Sequence, residues 1–156
     1  MPARPYLIPV HNGERREFLI EALADGPDAL AHVGGYVVLV QGALPGEQVF
    51  AEVTSAARKF GRARTVQVRK ASPERTEARC RHFLACGGCH WQHANYDAQL
   101  RFKRERIEKE LRHAFGAEAP QVLATAPAPD PFGQRHKVRS EEHTSELQSP
   151  YVISYA

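Results

Sequence analysis

From Arg16 to Lys70 the chain alternates short apolar runs with turn-forming residues, at the spacing of a small all-β domain. EFLIEAL (residues 17–23) reads as a first strand, ended by Asp25-Gly26-Pro27. DALAHV (28–33) is a second. Gly34-Gly35 then makes a two-residue hairpin turn into YVVLV (36–40), because glycine tolerates the positive φ that such a turn needs. A connection around Pro45-Gly46 leads to the last two strands, Val49–Thr54 and Gly61–Val68. In RTVQVRK the alternation puts Val66 and Val68 inward and Arg64 or Arg69 toward solvent. Five short strands in this stretch predict a small, closed or partly open OB-like barrel over residues 16–70, an arrangement that deals with exposed edges. Residues 1–15, polar and proline-rich, read as a loose lead-in.

Beyond residue 70 the pattern changes. Residues 71–95 have no sustained period and are dense in Cys, His, Gly and aromatics, a composition that is hard to order without a metal. Asn95 then caps a helix over 96–116, with Tyr96, Leu100, Ile107, Leu111 and Phe115 along one stripe and Gly116 as its stop. On the opposite face, Glu105 with Lys109 and Glu108 with Arg112 stand four residues apart in the favourable order. A Pro/Ala-rich linker follows at 119–133. The predicted class is therefore α+β: a five-stranded barrel, a cysteine-rich loop and one helix.

Length and charge narrow the function. At 156 residues the chain is too short for most catalytic α/β folds. It has no run near the roughly 20 apolar residues that cross a bilayer, and its N-terminus lacks the apolar centre of a signal peptide. No membrane is expected as a partner, and the expected location is the cytoplasm. The net charge of +3 hides an uneven distribution: residues 56–79 hold eight bases against two acids. Arg58, Lys59, Phe60, Arg62 and Arg64 interleave four bases with one aromatic at the turn between the last two strands. That mixture suits RNA, since the cations attract phosphate while the ring stacks on a base. DNA is not expected, and no pattern in the chain sets an oligomeric state.

Cys80, Cys86 and Cys89 fall within ten residues, an odd and tightly clustered set that makes a poor disulfide framework. Gly87-Gly88 lets the backbone turn sharply between two thiolates. Soft sulfur ligands favour an iron–sulfur cluster or zinc, the latter as a Cys3His site using His82, His90 or His93. Spacing alone leaves both open. Trp91 reads as core packing.

GALPGE (42–47), the basic strand pair, and the segment CGGCHWQHANYDAQLRFK (86–103) together resemble the TRAM-domain RNA uracil-5-methyltransferases over about residues 16–138. The resemblance implies that the barrel is a TRAM domain and that Cys80, Cys86 and Cys89 are three of the four ligands of a [4Fe–4S] cluster. It also implies that QRHKVR (134–139) opens a truncated central domain, so that residues 117–138 hold the linker and the start of that domain. The fourth cysteine, the nucleophile, its base and the S-adenosylmethionine domain would lie further on. S-adenosylmethionine is then a cofactor of the intact parent only, the chain itself is expected to be inactive, and the RNA would be ribosomal or transfer RNA. The alternative is a stand-alone RNA-binding module with a structural zinc. Finally, RSEEHTSELQS (139–149) resembles the translation of a short-read sequencing adapter, so residues 139–156 read as a non-native, disordered tail. Residues 140–156 carry three acids and no Lys or Arg, which leaves the chain up to Arg139 at +6.

Overall fold

The computed structural model of the chain describes residues 8–132. The central-domain segment at 134–139 and the tail at 139–156 lie outside them. Two units are distinguished, one up to Ala126 and one from Pro127 onward. In the described part of the second, the Phe132 N–H donates to Asp130 Oδ1 at 2.9 Å.

The first unit is mostly β. Its strands are β1 (Arg15–Leu19), β2 (Ala22–Leu23), β3 (Ala29–Val33), β4 (Tyr36–Gln41), β5 (Gln48–Ala56) and β6 (Phe60–Lys70), in the sheet order β1-β5-β6-β4-β3-β2. The β4–β6 pair is parallel and the others are antiparallel. Six strands in an unclosed sheet replace the expected five-stranded barrel. The extra strand arises because 17–23 does not run straight: the Ile20 N–H donates to the Glu47 carbonyl and the Glu21 N–H to the Leu30 carbonyl, both at 2.9 Å. The two halves of that segment serve different neighbours, so the chain turns between them and β1 and β2 end up at opposite edges of the sheet.

The predicted hairpin forms as read, with Val33 opposite Tyr36 and both turn glycines at positive φ, 55° and 83°. Its strands feed a core of small and β-branched side chains: Ala29, Ala31, Val38, Val40, Val49, Ala51, Val53 and Ala63, with Phe18, Ile20 and Tyr36. The lead-in contributes as well. Val10 is fully buried in this core and Ile8 packs against it.

β6 departs from simple alternation. Phe50 pairs with Gln67 and Ala51 with Thr65, so Val66 is an extra residue bulged out of the ladder. The expectation that Val66 points inward fails for this reason, since it is 51% exposed, whereas Val68 packs against the core.

α1 (Tyr96–Phe115) starts at the expected cap, with Asn95 Oδ1 accepting from the Ala98 N–H at 2.8 Å, and stops at Gly116, whose N–H donates to the Arg112 carbonyl. The residues that bury it are not those of the expected stripe. Ala98 and Phe102 enter a second cluster with Leu44, Trp91 and Ala94, while Ile107 and Phe115 stay exposed. The buried positions of the helix, Ala98 and Phe102, both lie in its first two turns. The ion pairs along α1 also differ from expectation, joining Arg101 to Glu105 and Arg104 to Glu108, while Lys109 reaches Asp25 at 3.1 Å.

Candidate nucleic-acid interface and cysteine segment

Phe60, Arg62 and Arg64 alternate with the buried Gly61 and Ala63, so all three project from the sheet face opposite the core. Arg58 and Lys59 sit just before them in the turn from β5, which is closed by the Ala57 N–H to the Phe60 carbonyl. Tyr36 Oη anchors that turn by donating to the Ala57 carbonyl at 2.6 Å. Gly61 is needed beneath it, since a Cβ there would lie 3.1 Å from Tyr36 Cε1. The structure thus brings the five predicted residues together at one end of the sheet. The Arg62 guanidinium lies 5.7 Å over the Phe60 ring and 3.5 Å from Asp28, while Arg58, Lys59 and Arg64 have no ion pair among the described residues. A hollow of about 250 Å³ lies beside them, lined by Asp28, Leu39, Gln41, Thr54, Arg62 and Arg64.

Not every base in the cluster is available. Leu44-Pro45-Gly46-Glu47 forms a tight turn with Gly46 at φ 81°, which places the Glu47 carboxylate inside the protein with no exposed surface. There it accepts from the Leu44 N–H at 2.9 Å, the Ser72 N–H at 3.1 Å and both Nε and Nη2 of Arg75. Arg75 also donates to the Gly42 carbonyl at 2.8 Å. Burial works to raise the Glu47 pKa, but the hydrogen bonds from Arg75, Ser72 and Leu44 outweigh it and hold the carboxyl below its ordinary range. Arg75 is therefore a structural cation, and it ties the start of the cysteine-rich segment to the sheet. Neither partner was visible as such in sequence. GALPGE showed only a turn, and Arg75 counted as one more base.

The same segment makes further contacts. His93 is buried, its Nε2–H donating to the Ala43 carbonyl at 3.3 Å and its ring 5.1 Å from that of Phe83. Burial lowers its pKa, so the ring is neutral near pH 7. Trp91 joins the α1 core edge-on to Phe102, in keeping with a packing role. Leu84, at φ 66°, presses over Gly42, where a Cβ would stand 3.0 Å from Leu84 Cδ1.

Cys80, Cys86 and Cys89 are all free and exposed. Gln92 links two of them, its Oε1 accepting from the Cys80 N–H at 3.0 Å and its Nε2 donating to Cys89 Sγ at 3.3 Å. The donor chemistry suits a soft metal, but the arrangement does not complete a site. Among the described residues, no three His, Cys, Asp or Glu side chains are gathered as metal ligands. His82 faces Arg81 instead, accepting from its Nε at 2.9 Å.

Residues 9–66, which take in the sheet and most of its basic strand pair, match the TRAM domain family. The likeness extends past that domain. Over 126 residues the chain is 39% identical to the 23S rRNA (uracil(1939)-C(5))-methyltransferase RlmD of Nitrosococcus oceani, covering 81% of this chain and 28% of that protein. The RlmD of Methylococcus capsulatus is 44% identical over 120 residues, 77% of this chain and 27% of its own length. Among solved structures, the tRNA (uracil-54, C5)-methyltransferase of Pyrococcus abyssi, in complex with S-adenosyl-L-homocysteine, is 27% identical. That match covers 60% of this chain and 20% of the other, with a TM-score of 0.40. The chain thus carries a TRAM domain and matches one part of the TRAM-domain RNA uracil-5-methyltransferases, spanning about 28% of the length of the curated relatives it matches.

Proposed function

We propose that this chain is the RNA-binding, cluster-bearing portion of an S-adenosylmethionine-dependent RNA uracil-5-methyltransferase, acting in the cytoplasm on ribosomal or transfer RNA. The observation that carries the reading is the co-facial set Phe60, Arg62 and Arg64 next to Arg58 and Lys59, which have no ion pair among the described residues. Cations of this kind release counterions from phosphate, and an exposed ring offers a platform for an unstacked base. Methyl transfer belongs to the remainder of the parent, and the chain alone is without it. Reversing Arg58, Lys59 and Arg62 to Glu is expected to weaken binding of single-stranded RNA at least ten-fold at low salt and to flatten its log–log salt dependence by about 2, at roughly 0.7 per phosphate contact. Unchanged affinity across a salt titration would overturn the reading.

Cys80, Cys86 and Cys89 are proposed as three ligands of a [4Fe–4S] cluster whose fourth ligand lies outside the chain. Purified without oxygen, the protein should contain iron and labile sulfide that are lost in air, because three thiolates hold the cluster incompletely. Stoichiometric zinc in their place would favour an RNA-binding module with a structural metal.

A further inference from the structure

We propose that RNA is held across the outer face of the sheet rather than at the β5–β6 turn alone, with Phe50 and Arg69 forming a second stacking position. The inference rests on the RNA-binding reading and extends it to a part of the sheet that the basic cluster did not single out. Phe50, on β5, is half-buried and lies opposite Gln67, on the face that carries Phe60, Arg62 and Arg64. The Arg69 guanidinium lies 5.3 Å over the Phe50 ring, much as Arg62 lies 5.7 Å over Phe60. An arginine above a phenylalanine thus recurs at both ends of β6.

The bulge at Val66 makes this possible. Strict alternation from Phe60, Arg62 and Arg64 would turn Arg69 toward the core side, and one extra residue moves it to the outer face. Between the two rings lies Arg64, which has no ion pair among the described residues, and the one acid opposite it on β5, Glu52, is matched by Arg15 at 2.7 Å. The acids near the two stacked arginines are held loosely, with Asp28 3.5 Å from Arg62 and Glu17 3.7 Å from Arg69. Both pairs are long and both guanidiniums are exposed, so phosphate oxygens can compete for them. The eight residues from Phe60 to Gln67, Val66 among them bulged out of the ladder, span roughly 20 Å of strand, enough for the roughly four nucleotides of a minimal OB-type site. Stacking on both rings requires unstacked bases, which points to single-stranded RNA rather than a duplex.

The test uses the full chain and a fluorescent single-stranded oligouridylate about six nucleotides long, read by anisotropy over a salt series. Phe50→Leu keeps the apolar bulk, and should weaken binding about ten-fold with the salt slope unchanged, matching Phe60→Leu. Arg69→Gln should reduce the slope by about 0.7. If Phe60→Leu binds more weakly while Phe50→Leu and Arg69→Gln bind as the parent does, the second position is wrong and the RNA reading stands. If none of the three changes binding, both fail. A duplex of equal length bound as tightly as the single strand would overturn the stacking geometry. Thermal unfolding of each variant separates lost contacts from lost fold, and Arg69→Gln, at an exposed side chain, decides the matter should Phe50→Leu misfold.

Discussion

Replacing Glu47 with alanine is expected to destabilise the protein by about 3–5 kcal/mol, read by chemical denaturation, and to release the cysteine-rich segment from the sheet. The carboxylate is fully buried and gathers Leu44, Ser72 and Arg75 onto one point. Without it, a largely buried guanidinium and two backbone N–H groups lose their acceptor at once. The charge partner matters more than the pair as such, so Glu47→Leu combined with Arg75→Met should recover part of the loss, because two apolar side chains leave no stranded charge. A loss below about 1 kcal/mol for Glu47→Ala would show that the contact is no more than a surface ion pair. The contact also has a pH signature. Glu47 titrates below its ordinary 4.5 in the folded chain, so its contribution is complete above that value and is lost as pH falls through the lower folded one. His93, lowered from 6.5 by burial, acts in the same direction: below pH 6.5 the unfolded chain takes up a proton that the folded chain refuses. Stability should therefore fall on acidification in two stages, and His93→Gln should remove the upper one.

Phe102→Ala is expected to cost about 3–5 kcal/mol and to expose the amides of α1 to hydrogen exchange while leaving those of β4–β6 protected. Phe102 is 4% exposed and meets Trp91 edge-on at 5.8 Å, in a cluster that includes Leu44 from the same turn as Glu47. Ile107→Ala, further along the helix at a side chain 53% exposed, should change stability by no more than about 0.5 kcal/mol. Equal losses at the two positions would contradict a helix whose buried side chains lie in its first turns.

These two results bear on what could be read from residues in order. The Gly34-Gly35 turn and the Asn95 cap are local chemistry, complete within four residues, and both form as expected. The alternation of Phe60, Arg62 and Arg64 is likewise local, which is why the turn end of the proposed interface was legible. What escaped depends on partners far apart in the chain. Glu47 and Arg75 are 28 residues apart and each resembles a surface charge until the fold joins them. Phe50 meets Arg69 only through the β5–β6 register, which includes an extra residue that no periodicity announces. The apolar stripe from Leu100 to Phe115 has helical spacing, but spacing does not say how much of a helix finds a surface to cover.

An unclosed sheet carries a hazard, since a row of unpaired N–H and C=O groups can recruit strands from other molecules and seed aggregation. Here β2 offers only two residues on one side. On the other, β1 opens with Arg15-Arg16-Glu17, a charged run that an incoming strand would have to strip of water. The fold thus leaves its sheet open while giving neither edge the length or the apolar character that self-association needs.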